Sequence, residues 1–438
     1  MPRLLQAANL PSYRDIEAAA VKKYISNLIK ESKQPKIFLK WLLFACIIGL
    51  VVGGVSIGFY YALSFVTEIR TAHNWLIYLL PAGGVVIVLL YRFSGMEKDK
   101  GTNFVLIAVR ENADLPLRTA PLVFISTLIT HLFGGSAGRE GAILQIGGSI
   151  SSSIGRAMHL DENDSRIITM CGMSAAFAAL FGTPLTSAIF AMEVISVGVM
   201  YYTALVPCVL SAIVGVSFAK FCGVTAACYS LIDLPMFSFL LLIRVIALGI
   251  SFAILSIIFC RLMHLTPALF DKYLPNHLSR VIVGGAIIII LTLITGTYDY
   301  NGFGGNIISE ALSGSARPEA FLLKILFTTI TLGAGFKGGE IVPVFFTGAT
   351  FGCVAAPLLG ISPSFGAALG LVSVFCGVTN CPMTSIMLAL ELFGGKQMPL
   401  FALCCAVSYM LSGYYSLYSE QKILYSKLRP VFIDKKAK

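Results

Sequence analysis

The chain has 438 residues, of which 57% are apolar and only 12% charged, with a mean hydropathy of +0.84 and a formal net charge of +10. Soluble chains carry about 25% charged residues. This composition therefore excludes a disordered protein, a coiled coil and an ordinary cytosolic enzyme, and it fits a polytopic membrane protein.

In chain order, residues 1–40 come first, with eight Lys/Arg against three acids. Residues 11–34 predict a short amphipathic helix, and no secretory signal precedes the first apolar run near Trp41. Residues 41–67 are apolar and long enough to cross about 30 Å of hydrocarbon, and 74–91 form a second candidate. Beyond these the apolar segments shorten: 121–133, 142–155, 167–182, 184–198, 325–336, 341–358, 364–379 and 383–394, each interrupted by Gly or Pro. Longer runs recur at 199–219, 234–260, 281–298 and 398–417. Broken helices inside a bilayer must be buried in protein or line a polar cavity, and they are a transporter signature.

Residues 421–438 carry six Lys/Arg against the single acid Asp434. Basic flanks stay in the cytoplasm, so both termini are expected inside, with an even number of crossings. The expected organisation is a basic cytoplasmic segment (1–40), a membrane transport domain (41–425) and a basic cytoplasmic tail (426–438) too short for a regulatory domain. The charges flank spans and lack interleaved aromatics, so nucleic acid is not an expected partner. The eleven Cys sit mostly in apolar runs without metal-ligand spacing. Neither a metal nor a cofactor is expected.

The chain repeats itself. At a shift of 200, Gly135, Gly138, Glu140 and Gly148 fall on Gly335, Gly338, Glu340 and Gly348. At a shift of 198, the run from Pro184 to Val194 falls on that from Pro382 to Leu392, with five of eleven positions identical. The chain therefore divides into two related halves, roughly 40–220 and 235–420.

Ionisable residues inside apolar segments are costly and mark function. They are Arg139, Glu140, Glu193, Arg244, Lys337, Glu340 and Glu391. In Gly134-Gly-Ser-Ala-Gly-Arg-Glu140-Gly-Ala, a Gly-rich turn leads into an apolar helix over 143–154, and exposed N–H groups at such a start bind anions. The run from Gly333 to Pro343 repeats the arrangement. A carboxylate at such a start is a tethered anion: it holds the site until protonated, then yields it to a free anion. Glu140 is read either in that role or as a residue that only caps its helix or pairs with Arg139. Glu193 and Glu391, at equivalent repeat positions, are read as structural, bonding backbone N–H groups at helix breaks. His131 reads as a packing residue, and Arg244 and Lys337 as snorkelling or anion-steering cations.

Several motifs occur together and in order: Gly138-Arg-Glu140-Gly, Gln145-Ile-Gly-Gly, Ala175-Ala-Phe, Gly182-Thr-Pro-Leu and Gly338-Gly-Glu-Ile-Val-Pro343. Across residues 40–430 the chain resembles the CLC chloride channel and transporter family. The resemblance implies an all-α integral membrane fold of many tilted and broken helices in two inverted repeats, and a homodimer with one pore per subunit. It also implies that Glu140 matches the gating glutamate, which carries protons in antiporter members.

The departures point to a branch. Where chloride members have Gly-Ser-Gly-Ile-Pro, this chain has Gly101-Thr102-Asn103-Phe104-Val105; where they have Pro after Gly-Arg-Glu-Gly, it has Ala142. The third motif carries Glu340-Ile341, and Val194 stands where chloride/proton antiporters place a second proton glutamate. The set resembles the bacterial fluoride/proton antiporter branch, whose best-known members differ at Thr102 and Val342. By this resemblance the protein is a fluoride/proton antiporter of the bacterial inner membrane. A chloride/proton antiporter with a variant filter and a passive channel gated by Glu140 are the alternatives.

Fluoride holds water tightly, so its site must supply strong donors. The candidates are the backbone N–H groups of Gly141, Ala142, Ile143, Ile341 and Val342, with the Thr102 hydroxyl or the Asn103 amide. Glu340 has two readings: a neutral acid that donates its O–H and takes over part of the proton path, or a helix cap facing Lys337. Tyr418 is the choice for the family's pore tyrosine, with Tyr425 competing and Tyr414 and Tyr415 as interfacial aromatics.

Overall fold

The computed structural model describes residues 13–97, 99–225, 229, 231 and 234–438, and only the backbone of 13–33. Two units are distinguished, Met1–Phe44 and Ala45–Lys438. In the first, residues 13–44 are helical. The second carries both repeat motifs and the rest of the fold.

Among the described residues there are sixteen α-helices, eight per half. The first half holds α1 (Tyr13–Ala72), α2 (Leu80–Phe93), α3 (Thr102–Glu111), α4 (Thr119–Leu132), α5 (Glu140–Ala157), α6 (Glu162–Phe181), α7 (Pro184–Glu193) and α8 (Leu205–Phe221). The second holds α9 (Phe239–Tyr273), α10 (His277–Thr295), α11 (Gly305–Leu312), α12 (Ala320–Gly333), α13 (Ile341–Ala355), α14 (Pro363–Thr379), α15 (Pro382–Phe393) and α16 (Met398–Leu411). Among the described residues, six helical segments are long and apolar enough to span a bilayer. At a rise of about 1.5 Å per residue, helices as short as α3, α7 and α11 cannot.

The helix breaks have local causes, repeated in each half. Helix α6 ends on Gly182 and α14 on Asn380, both left-handed (φ +75° and +59°). Two residues later Pro184 and Pro382 open α7 and α15, where a missing N–H costs nothing. Facing glycines let α5 and α6 touch at Gly147 and Gly172, and α13 and α14 touch at Gly348 and Gly370.

The halves are joined by exchanged contacts. Glu193, ending α7, accepts from Met383 N (3.0 Å), Thr384 N (2.8 Å) and Thr384 Oγ1 (2.6 Å) at the start of α15. Glu391, on α15, accepts from Leu185 N and Thr186 N (both 2.9 Å) at the start of α7. Gly138 and Gly339 form an antiparallel bridge, each N–H on the other's carbonyl at 2.6 and 2.8 Å. Reciprocal pairs of this kind are what a two-fold axis generates: the repeats are inverted, and Glu193 and Glu391 are structural, as their positions implied.

A small sheet supplements the helices. Strand β1 (Ser196–Val197) pairs in parallel with β2 (Lys422–Tyr425), which pairs antiparallel with β3 (Phe432–Lys436). The segment expected as a tail thus contains a paired strand. Gln421 anchors the return: its Nε2 donates to Val194 O and Thr379 O (both 2.8 Å), and its Oε1 accepts from Asn380 Nδ2 and Ser416 Oγ (both 2.9 Å).

Glu193→Ala leaves three donors unpaired and Glu391→Ala two. Hydrogen bonds to charged groups contribute about 1.5–3 kcal/mol each, so Glu193→Ala should lower the thermal unfolding midpoint of the detergent-purified protein, and Glu391→Ala should lower it less. Equal midpoints for both variants and wild type would remove these carboxylates from the fold's support.

Candidate anion and proton site

The Gly138–Gly339 bridge brings the first turns of α5 and α13 together. A Cβ on Gly339 would lie 2.6 Å from Gly141 N and 2.7 Å from Glu140 N, so only glycine lets the two backbones meet. Helix α5 begins at Glu140, three residues before the expected 143. This places the carboxylate on the first helical residue, where N–H groups lack intrahelical partners. The fully buried Glu140 accepts at Oε2 from Arg139 N (3.0 Å) and, across the repeat boundary, from Val342 N (3.1 Å). Its other oxygen, Oε1, has no hydrogen-bond partner and lies 3.9 Å from Arg139 Nε. Glu140 thus occupies an anion-binding helix start, that of α13, as well as pairing loosely with Arg139.

Around Gly141 the predicted polar groups converge. A Cβ there would lie 2.8 Å from Thr102 Oγ1 and 2.9 Å from Glu340 Oε2. Glu340 is the N-cap residue of α13, yet its side chain makes no capping bond to the helix and its buried Oε2 has no hydrogen-bond partner. Tyr418 is buried, its hydroxyl lacks a protein partner, and it lies close enough to Glu340 and Glu140 to feel both charges. Tyr418 is positioned by Ser416 Oγ, which accepts from its N–H (3.1 Å), and by Leu417 N on Val378 O (2.9 Å). Tyr425 instead sits exposed on β2 against Phe432, Tyr414 bonds Ser426 and Tyr415 bonds Arg261.

Two predicted donors are placed otherwise. The Ile143 N–H closes the first turn of α5 on Arg139 O (3.0 Å), because it is the fourth residue of the helix. Glu140, Gly141 and Ala142 are left as that helix's first-turn amides; Ile341 and Val342 are those of α13, since Pro343 has none. Asn103 turns away and accepts from Glu420 N (3.1 Å). A residue not anticipated at the site is Gln145. One turn beyond Gly141, its Nε2 donates to Gly141 O (3.0 Å) and reaches Thr102 Oγ1 (3.4 Å), while its Oε1 has no partner. The signal was a lone amide side chain at i+4 from the Gly-rich turn.

The other ionisable residues divide. Lys337 pairs with Asp99 (3.4 Å) and lies over the Tyr91 ring (4.3 Å). His131 is buried beside Gly138 O (3.3 Å). Arg139 is ringed by Tyr60, Phe181 and Phe303 at 5.4–5.7 Å, in a cavity of about 310 Å³ that Val342 also lines. Arg244 caps Gly360 O (3.2 Å), away from this site.

Inverted repeats, broken helices and carboxylates at paired helix starts define a multi-pass membrane transport protein. The family model described as voltage gated chloride channel matches residues 82–413, and the chain belongs to that family. It is 36% identical over 395 residues to the chloride/fluoride channel protein of Pseudomonas syringae pv. tomato, covering 89% of this chain and 87% of that one. It is 24% identical to the H(+)/Cl(-) exchange transporter ClcA of Vibrio campbellii, over 86% and 87% of the two chains. Among solved structures, a CLC-type fluoride/proton antiporter superposes with a TM-score of 0.85 at 32% identity, covering 88% of this chain and 98% of that one. A slow cyanobacterial Cl-/H+ antiporter, at 21% identity and a TM-score of 0.73 over 85% and 94% of the chains, shares the fold.

Gly339→Ala should separate the two helix starts. Overpacking of this sort costs about 1–3 kcal/mol, so the variant should elute from size exclusion with a lowered unfolding midpoint and reduced anion flux. Wild-type flux in Gly339→Ala would show that the backbone contact is not required.

Proposed function

We propose that the protein is a fluoride/proton antiporter that exports fluoride across the bacterial inner membrane using the proton gradient. It works as a homodimer with a pore in each subunit and both termini in the cytoplasm. The observation that carries the reading is the Glu140 carboxylate bound to Val342 N, on the helix start of the opposite repeat, beside the unpartnered Oε2 of Glu340. The likeness to the fluoride/proton antiporter structure and to the chloride/fluoride channel protein supports the choice of anion.

The chemistry is set by charge. While ionised, Glu140 occupies the Val342 amide that a free anion would take. A proton on Glu140 removes that charge, the side chain leaves, and the amides of Gly141, Ala142, Ile341 and Val342 are open to fluoride. Thr102 and Tyr418 offer hydroxyl donors to the same ion, and Gln145 steadies Thr102. Glu340, close enough to Glu140 for their charges to interact, exchanges protons with it and, when protonated, donates its O–H to the anion. Anion occupancy and protonation are thereby linked at one place.

In proteoliposomes with external pH recorded, fluoride efflux should be accompanied by stoichiometric proton uptake, with little chloride movement. Glu140→Gln should abolish proton movement, and Glu340→Gln should depress fluoride and proton movement together. Comparable chloride flux would overturn the choice of anion. Fluoride flux without proton uptake in the wild type would make the protein a channel.

A further inference from the structure

A second cavity, of about 230 Å³, adjoins the one that holds Arg139, and the two share Phe303 and Gly305 as common walls. Its one lining arginine is Arg70, in the last turn of α1. The Arg70 side chain makes no hydrogen bond or ion pair with any described residue, and its buried Nε is unpartnered.

The surroundings explain this. The guanidinium lies against the 300–304 loop: a Cβ on Gly302 would sit 3.3 Å from Arg70 Nη2, and one on Gly134 3.7 Å from its Cδ. Several acceptors on these loops are already engaged. Lys324 donates to Gly302 O (2.7 Å) and Tyr300 O (3.1 Å), Asn301 Nδ2 to Gly134 O (2.8 Å), and Gly302 N to Gly135 O (3.1 Å). The one carboxylate lining the cavity, Asp299, pairs with Arg317 (3.6 Å). A guanidinium has five donors and cannot shed its charge. The buried Nε has no acceptor, which is costly for a partly desolvated charge, and several carbonyls of the adjoining loops are already taken by Lys324, Asn301 and Gly302.

We propose that the Arg70 cavity is a separate binding site for a small monovalent anion of the halide class, one cavity removed from the Glu140 helix starts. An anion held by Arg70 passes Phe303 to reach Arg139 and then the amide of Val342. The inference rests on the reading that anions pass Glu140, and it is indifferent to which halide does so.

Isothermal titration of the detergent-purified full chain with sodium fluoride, and separately with sodium chloride, at ionic strength fixed with gluconate, reads the site directly. Arg70→Gln should lose one of the wild type's anion sites. Arg70→Lys should keep it with affinity weakened about three- to ten-fold, because a point charge replaces a fork. An unchanged number of sites in Arg70→Gln overturns the proposal, as does a wild type that binds neither anion. So does Arg70→Lys that has lost the site together with the wild-type unfolding midpoint, since Arg70 would then only pack. Where Arg70→Gln does not fold, Arg70→Lys alone decides in the same terms. Binding is read without flux or proton movement, so a transport result that defeats the antiporter reading leaves this test standing.

Discussion

Two hydrogen bonds, between Gly138 and Gly339, set the geometry on which the site depends. They run between backbone atoms of loops about two hundred residues apart, and a methyl group on either glycine would stand within van der Waals distance of the opposite backbone. Because the loops touch, the first turns of α5 and α13 lie side by side. Because they lie side by side, the carboxylate of one can take the amide of the other. A helix start is a modest anion site by itself, with an effective charge of about half a unit. Two starts meeting in an apolar interior, where the field is poorly screened, make a stronger one.

The four carboxylates of the repeat motifs differ in how completely they are bonded, and the difference sorts their roles. Both oxygens of Glu193 and both of Glu391 are occupied by backbone N–H groups of the opposite repeat. Moving either would strand two or more donors, so these acids are fixed. Glu140 and Glu340 each keep one buried oxygen without a partner. Buried polar atoms in folded proteins are nearly always paired, and here Gln145 Oε1 and the Tyr418 hydroxyl add two more exceptions. Under the antiporter reading, carboxylates that keep an unpaired buried oxygen exchange protein contacts for a proton or an anion.

Much of this was legible in the sequence because it is carried by local chemistry. Gly-rich turns ahead of apolar runs marked the helix starts, Pro184 and Pro382 marked the breaks, and the near-constant offset between motifs gave the repeat. The structural reading of Glu193 and Glu391 followed from their equivalent places. What was hidden depends on contacts across the fold. Ile143 lost its free N–H because α5 starts at Glu140, and helix boundaries of this kind turn on tertiary contacts that no short window contains. Asn103 is drawn off by the backbone of Glu420. Gln145 looked like a motif residue until α3 placed Thr102 beside it. Arg70 sits in an ordinary helix end, and only the loops from the second half show that it has no partner.

The same difference in bonding bears on the proton route. By the family resemblance, chloride/proton antiporters use a second glutamate where this chain has Val194, and here the Val194 carbonyl is held by Gln421. That side chain spends its amide protons on Val194 O and Thr379 O and its oxygen on Asn380 and Ser416. The neighbouring Glu193 has both oxygens bonded to the start of α15. The acid next to Glu140 that keeps an unpartnered buried oxygen is Glu340, on the loop that also carries Lys337. Under the antiporter reading the coupling acids are therefore close together at the two helix starts rather than spread along the pore. One anion arriving there meets both, and whichever proton moves changes the charge the anion sees. Coupling then needs no long relay: it is a competition among two carboxylates and one anion for the same small set of donors.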